Sequence, residues 1–297
     1  MIGEFAALGA AVSWTISALL YKKALSDAKP ISANIVRLTL TSVAILVFMV
    51  AVGLIGVLTR LPMSVVVLAS VSGIIGLGLG DTLYMVSLKM IGVARAVPVT
   101  CTYPLFNLLW AALFVGESVA WSVALGAVVI VLGVWMLSLE EKGEALDLQR
   151  KVLRKGLALA LVTALLWSVS IAMMGLAVKE TPNLDDAFAI NAVRVFAIAI
   201  SLAFAASLVD KSLGFLKMSK RTVVTLLVGG IVALGLGWFL LNYSFINTPQ
   251  SRAVPISSAT PLFSTLAGVL LLHEKVNAKI ALGSVMIVAG IFMIFLI

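Results

Sequence analysis

Hydrophobic positions in this chain fall into ten long runs, separated by short breaks that carry most of the charge. The runs cover residues 3–22, 32–54, 64–89, 96–115, 118–138, 155–178, 187–209, 222–246, 252–272 and 277–297. Each run has about the 20 residues that a helix needs to cross roughly 30 Å of hydrocarbon. Helices also satisfy every backbone polar group internally. The pattern therefore predicts an all-α polytopic membrane protein with ten transmembrane helices.

The composition supports a lipid bilayer as the surroundings of the chain. It is 62% hydrophobic and only 11% charged, which is too few charges to cover a soluble core. The net charge of +8 could suit nucleic acid, but the basic residues sit at the ends of the runs, so we expect no nucleic-acid partner. With one Cys and one His, the chain cannot form an internal disulfide or a metal cage from these residues alone, and we expect no cofactor or metal.

A repeated phrase divides the chain in two. "RAVPVTCTYPLF" at 95–106 returns as "RAVPISSATPLF" at 252–263, with seven identical positions. The same offset of 157 residues relates a wider set, namely Asn34, Arg37, Glu117, Gly126 and Gly133 to Asn191, Arg194, Glu274, Gly283 and Gly290. Trp14 matches Trp167 at an offset of 153. We predict five-helix repeats at 1–138 and 155–297, joined by a cytoplasmic linker at 139–154.

The second repeat should enter the membrane from the opposite side, because five spans are an odd number. Basic residues test this expectation, since Lys and Arg accumulate on the cytoplasmic side. Most of the 21 Lys and Arg follow odd-numbered spans, whereas the alternate loops hold only Arg60, Lys179 and Arg252. The charges predict two inverted repeats with both termini outside.

Prolines recur at matching positions in spans 4 and 9. Pro98 and Pro104 lie in span 4, and Pro255 and Pro261 lie in span 9. Proline removes a backbone donor and clashes with the preceding turn, and hydrocarbon does not tolerate the freed groups unless they are buried in protein or line a cavity. We expect two breaks in each span and a central cavity between the repeats. The alternative is a pair of packing kinks with no ligand.

These features occur in the same order in both halves of the chain. In that order they resemble the EamA-type members of the drug/metabolite transporter superfamily. The residues that carry the resemblance are Trp14 and Trp167, the two Asn-x-x-Arg steps, "GLGD" at 78–81, the doubled proline phrase and the Gly116-Glu117 and His273-Glu274 steps. The resemblance implies a basket of helices around a cavity, alternating access, and aromatic lining by Trp14, Tyr103 and Trp167. It also implies an integral protein of a prokaryotic plasma membrane, although many relatives keep both termini in the cytoplasm.

Asp81 is the one carboxylate deep within a span. A charge there faces a cavity or a partner, so Asp81 is either a site for a coupling proton or cation, or the ion-pair partner of Arg37. Trp238 occupies the equivalent position in the second repeat. Arg194 could therefore make a cation–π contact with Trp238 or bind a substrate carboxylate or phosphate.

Polar residues in the same spans are further candidates for substrate contact. Asn107, Asn242, Ser258 and Thr260 could contact a solute, although interhelical hydrogen bonds are the commoner role of such groups. Glu117 and His273-Glu274 suit short turns, where a carboxylate stabilises the first turn of the following helix. Gly76 and Gly80 form a GxxxG step that favours close helix packing.

The function predicted from the sequence is a secondary active transporter, not an enzyme, that moves a small polar or amphipathic metabolite such as an amino acid. An alternative within transport is uptake of a choline-like organic cation, for which Asp81 and the aromatic residues would supply charge and cage. A different alternative is an intramembrane lipid-processing enzyme, for which His273 offers no convincing nucleophile–base set. The expected partners are the substrate, a coupling proton or cation, and the bilayer, with the protein a monomer or a dimer.

Overall fold

Every regular element in the described part of the chain is a helix. The computed structural model describes residues 1–137, 147–263, 266 and 278–295. Its helices are α1 (Ile2–Ala24), α2 (Pro30–Ala51), α3 (Met63–Ile91), α4 (Val93–Thr100), α5 (Tyr103–Val115), α6 (Trp121–Leu137), α7 (Asp147–Glu180), α8 (Leu184–Val209), α9 (Lys220–Asn247), α10 (Gln250–Ser257) and α11 (Ala278–Phe295). The predicted all-α class is confirmed for these residues.

Five helices in this part of the chain are long and apolar enough to cross a membrane unaided. They are α1, α2, α3, residues Lys151–Glu180 of α7, and α9, with mean hydropathy of 1.4 to 2.3 in their most apolar windows. They coincide with predicted spans 1, 2, 3, 6 and 8. The other predicted spans fall on the remaining helices and on residues 260–263, which are also helical. The exact number of ten spans stays a prediction.

Helix ends follow from local chemistry. Pro30 is the first residue of α2, where its missing N–H has no helical partner to lose. Gly92 and Gly116 have φ of 76° and 71°, values that glycine adopts without strain, and they end α3 and α5. At the far end of the predicted linker, α7 begins at Asp147, so residues 147–154 are helical. The bounds of the linker stay a prediction. The stretch from 147 to 155 contains no Gly or Pro to stop a helix.

Helices α6 and α11, the last of each repeat, pack closely and antiparallel through four glycines. A Cβ atom on Gly126 would lie 2.9 Å from the Gly290 carbonyl oxygen, and one on Gly133 would lie 2.7 Å from that of Gly283. Small residues let two backbones approach in this way, and packing then supplies the attraction that lipid does not. These four positions are the ones that the repeat relates to one another.

The first helix of each repeat packs against the other repeat. Helix α1 packs against α9, and α7 packs in the equivalent way against α3. Glycines make room for a tryptophan at each contact: a Cβ on Gly237 would lie 2.7 Å from Trp14 Nε1, and one on Gly80 would lie 2.9 Å from Trp167 Cδ1. Each tryptophan is thereby brought against the opposite repeat.

The middle of α3 and the middle of α9 are both wound as π-helix. The segments are Gly73–Gly80 and Ile231–Gly237, at equivalent positions of the repeats. Wider turns of this kind disturb the regular backbone bonding and are common at functional sites. Asparagine side chains supply hydrogen bonds to the backbone carbonyls of these segments. Asn34 Nδ2 donates to the Leu77 carbonyl at 3.0 Å, and Asn191 Nδ2 donates to the Leu234 carbonyl at 2.6 Å.

Span 4 is interrupted once, so the prediction of two breaks was wrong there. The described part of span 9, residues 252–263 and 266, also shows one interruption. One break lies at residues 101–102, between α4 and α5, and the other at 258–259, between α10 and the helical residues 260–263. Pro104 and Pro261 each stand second in the new helix, where the missing N–H loses nothing. Pro98 and Pro255 each lie two residues before their helix ends. Each pair of prolines therefore brackets a single break.

Candidate functional site

A cavity of about 80 Å³ lies where helices of both repeats meet. Seven residues singled out in the sequence line it: Trp14, Arg37, Asp81, Tyr103, Trp167, Trp238 and Thr260. The lining also contains residues that sequence reasoning missed: Ser17, Ala18, Tyr21, Tyr84, Val97, Thr100, Cys101, Ile171, Ala233 and Leu234. The wall is thus largely aromatic, with two charged side chains of opposite sign.

Asp81 is held by one residue from each repeat. Arg37 Nη2 lies 2.5 Å from Asp81 Oδ2, and Trp167 Nε1 donates to Asp81 Oδ1 at 2.7 Å. Arg37 also donates to Asn34 Oδ1, one turn earlier in α2, at 2.6 Å, and its guanidinium lies 5.0 Å from the Tyr21 ring centroid. Both oxygens of Asp81 are engaged and its charge is compensated, so the structure places it in the ion pair that was one of its two sequence-based interpretations.

Arg194, the equivalent of Arg37, stacks on Trp238, the equivalent of Asp81. The distance from its guanidinium carbon to the ring centroid is 3.6 Å. Its Nη2 atom donates to Ser170 Oγ at 2.7 Å, whereas Nε and Nη1 have no hydrogen-bond partner. Arg194 is wholly buried. The predicted cation–π contact is present, and one half of the molecule has an aromatic ring where the other has a carboxylate.

Tryptophans and tyrosines form two facing clusters on the cavity wall. Trp14 and Trp238 have ring centroids 5.3 Å apart, while Trp167 lies 5.0 Å from Tyr84 and 6.2 Å from Tyr103. The spacing in the sequence could have identified two of the missed residues. Tyr84 stands one helical turn after Asp81, and Tyr21 stands two turns after Trp14, so each faces the same side as a recognised candidate.

Side chains join the two interrupted helices at the cavity. The hydroxyl groups of Tyr103 and Ser257 lie 3.0 Å apart, and Gln250 Nε2 donates to Asn107 Oδ1 at 3.1 Å. Thr15 Oγ1 donates to the Thr260 carbonyl at 3.0 Å, beside the break that follows α10. Backbone polarity near that break is therefore satisfied by protein, as a break within a membrane requires.

Glu117 fixes the start of α10. Its two carboxylate oxygens accept from the backbone N–H groups of Gln250 and Ser251, both at 2.8 Å. A carboxylate at a helix N-terminus satisfies free donors and complements the helix dipole. The sequence-based interpretation placed Glu117 at the first turn of the next helix, α6, and it was wrong about the partner. The separation of 133 residues between Glu117 and Gln250 hid the contact from sequence reasoning.

Other sequence candidates lie outside the cavity wall. Asn242 Nδ2 donates to the Ala187 carbonyl at 3.2 Å, and Asn107 bonds Gln250, so both make interhelical bonds. Ser258 Oγ donates to the Pro255 carbonyl of the preceding turn at 2.6 Å. None of these three, nor Arg194, lines the cavity. His273 and Glu274 lie outside the described residues.

The fold and this cavity define the class of the protein, a polytopic helical membrane protein with an aromatic, charge-paired internal site. The chain belongs to the EamA-like transporter family, whose model matches residues 1–139 and 154–296. It is 25% identical to an "Uncharacterized transporter" of Archaeoglobus fulgidus over 100% of this chain and 99% of that protein. A solved crystal structure superposes with a TM-score of 0.74 at 20% identity, over 99% of this chain and 96% of the other, and supports the fold.

Membership of this family makes the protein a membrane transporter. The two separate matches to one family model also agree with the duplication seen in the sequence. Both the family and the named relative point to a transporter rather than an enzyme.

Proposed function

We propose that the protein is a secondary active transporter that moves a small polar or amphipathic metabolite, with amino acids a candidate class, by alternating access. The observation that carries the proposal is the cavity at the junction of the two interrupted helices, where Tyr103 and Ser257 meet across the repeats. Broken helices at a repeat interface typically form substrate sites in transporters of this architecture.

An inverted relation between the repeats supports this mechanism. Equivalent helices α6 and α11 run antiparallel, with Gly126 against Gly290 and Gly133 against Gly283. Helix α1 meets α9 as α7 meets α3. In a molecule built this way, each repeat can take up the conformation of the other, and the cavity then opens to opposite sides in turn.

The conformation seen here is closed at the end that carries Met1. Glu117 clamps α10 at that end, and Arg252 of α10 approaches Glu4 of α1 to 3.8 Å. Two lining residues of the cavity, Tyr21 and Tyr84, lie in the halves of α1 and α3 that lead into loops rich in Lys and Arg. With the basic loops in the cytoplasm, we infer that the termini lie outside and that the site is nearer to opening inward.

Asp81 is the group that we assign to proton coupling. Its carboxylate holds Arg37 and Trp167, which belong to different repeats, so protonation would weaken both bonds in one step. Helix α3 packs directly against both α2 and α7. Loss of the charge removes the polar link between the repeats at Asp81 and so favours their relative movement. The cavity of about 80 Å³ is well below the usual size of a ligand pocket and must widen to admit a solute.

Transport into liposomes that contain only this protein tests the proposal. We expect saturable uptake or counterflow of at least one labelled solute from a panel of amino acids, amines and organic acids, with rates that change with pH. Asp81→Asn should abolish the pH dependence and leave exchange intact, whereas Asp27→Asn, on the exposed α1–α2 loop, should leave both unchanged. The Asp81→Asn/Arg37→Gln double variant repeats the test with no unpaired charge.

Saturable flux with an unaltered pH profile in Asp81→Asn would show that Asp81 is structural. No saturable flux of any solute, in protein shown to be folded by circular dichroism, would contradict the transport function itself.

An organic cation is a second candidate substrate, and the aromatic lining favours it. Trp14, Trp167, Trp238 and Tyr84 could surround a quaternary ammonium group, which binds to the faces of such rings. If the substrate is an organic cation, choline should raise the melting temperature of the protein, and Trp14→Ala should remove this increase.

A further inference from the structure

Around the cavity, the described side chains carry one positive charge more than they neutralise. Three charged side chains of the described residues lie at or beside the cavity: Arg37, Asp81 and Arg194, each at most 5% exposed. Arg37 and Asp81 form a pair, and both Asp81 oxygens already accept a bond. Within the residues that the structure describes, Arg194 has no acidic partner. Since arginine stays protonated in proteins, its charge remains.

An uncompensated charge in this position is unusual. Moving a guanidinium from water into a low-dielectric interior is unfavourable unless a counter-charge or sufficient hydrogen bonds replace the water. Arg194 makes one hydrogen bond, to Ser170, and leaves Nε and Nη1 without a partner. The Trp238 ring stabilises the cation without neutralising it. The site is therefore still able to accept an anion.

Packing around Arg194 holds the guanidinium beside the cavity. A Cβ atom on Gly76 would lie 2.8 Å from Arg194 Nη2 and 2.3 Å from Ser170 Oγ, so only glycine leaves room for this arrangement. Trp238 lines the cavity and also stacks on the guanidinium. Arg194 thus lies one ring away from the space that a solute would occupy.

We propose that the cavity selects solutes with a single negative charge, a carboxylate or similar group on an apolar or aromatic body, and that Arg194 supplies the selecting charge. This inference rests on the proposed transport function and, among small metabolites, favours net-anionic solutes over zwitterionic amino acids and organic cations. The aromatic wall binds the body, and the field of Arg194 stabilises the anionic group on the Trp238 side of the cavity. An ammonium group finds no free counter-charge, because Asp81 is engaged by Arg37 and Trp167.

Three probes of one shape isolate the effect of charge: 3-phenylpropionate, 3-phenylpropan-1-ol and 3-phenylpropylamine. Their dissociation constants can be measured at pH 7.5 from quenching of tryptophan fluorescence in the purified wild-type protein, since three tryptophans line the cavity. We expect the acid to bind at least tenfold more tightly than the alcohol, and the amine more weakly than either. Equal affinities, or tightest binding of the amine, would overturn the inference.

Two variants assign the preference to Arg194. Arg194→Gln should bring the affinity for the acid to within about threefold of that for the alcohol, whereas Arg194→Lys, which keeps the charge, should retain most of the preference. Arg221→Gln, at an exposed position at the start of α9, is the matched control and should behave as the wild type. A preference for the acid that survives in Arg194→Gln would also overturn the inference. If Arg194→Gln does not fold, the test is whether Arg194→Lys ranks the affinities of the three probes in the same order as the wild type.

Failure of this inference is distinguishable from failure of transport. Saturable liposome flux of the amine or the alcohol, without flux of the acid, contradicts the charge selection and leaves the transport function standing.

Discussion

Removing the carboxylate of Asp81 should destabilise the protein through the arginine left behind. Arg37 Nη2 and Asp81 Oδ2 are 2.5 Å apart in a buried pair. At that distance and an effective dielectric constant of about 20, their attraction is on the order of 7 kcal/mol, much of it offset by lost hydration. Asp81→Asn keeps the shape but leaves the guanidinium without a counter-charge. We expect the free energy of unfolding to fall by about 3–5 kcal/mol.

A double-mutant cycle in mixed micelles checks this expectation, with unfolding driven by sodium dodecyl sulfate and followed by circular dichroism. Arg37→Met combined with Asp81→Asn removes both charges, so the double variant should be less destabilised than the sum of the single variants by about 2 kcal/mol or more. Asp27→Asn, on an exposed loop, serves as the control and should change stability by less than about 0.5 kcal/mol. Effects that add within about 0.5 kcal/mol would refute the argument that the two groups stabilise each other.

Three further predictions follow from other parts of the molecule. Gly133→Ala should lower the free energy of unfolding by about 1–3 kcal/mol, because its Cβ would meet the Gly283 carbonyl at 2.7 Å, whereas Gly56→Ala, with no heavy atom within 4 Å, should be neutral; equal effects would contradict the close packing of α6 and α11. Cys101, the one cysteine of the chain, lines the cavity, so a membrane-impermeant maleimide should label it faster from the side of the basic loops, and Glu117→Gln should raise labelling from the other side. Labelling that is equal from both sides in the wild type would refute closure at the end that carries Met1. Burial would raise the pKa of Asp210, but hydrogen bonds from Ser212, Ser32 and the amides of Phe215 and Gly214 outweigh it and hold the pKa at about 2, below the usual 3.8. The stability that Asp210 contributes should be present above about pH 4 and lost as the pH falls through about 2, so the unfolding free energies of the wild type and Asp210→Asn should converge over that range.

Repetition in the sequence was the strongest guide to the site. The doubled proline phrase located both interrupted helices, because proline acts on the backbone of its own turn and its effect is local. Matching the repeats also showed that Trp238 replaces Asp81, which anticipated the stacking of Arg194 on that ring. Trp14 and Trp167 were identified by their matching places in the two repeats and by the resemblance to EamA-type transporters.

What the sequence did not reveal depends on distant contacts or on small differences in backbone geometry. In the π-helical turns of α3 and α9 the backbone hydrogen bonds reach one residue further along the chain than in an α-helix, and the glycine-rich stretches there are compatible with either form. The bond from Glu117 to α10 joins residues in different repeats, and local chemistry favoured a cap on the adjacent helix. Span 4 and the described part of span 9 each have one break, because one proline of each pair occupies a position that a helix tolerates.

The differences between the repeats indicate the functional site more clearly than their similarities do. Shared features, such as the Asn34 and Asn191 bonds to the π-helical carbonyls and the four packed glycines, serve the scaffold in both halves alike. The cavity breaks this symmetry in its charge, since Arg37 faces Asp81 and Arg194 faces Trp238. A solute and a coupling proton need different partners, and a strictly symmetric site would offer each of them the same pair of environments. In the mechanism proposed above, the neutralised arginine belongs to the proton site, and the uncompensated one, a single ring away from the cavity, attracts the anionic group.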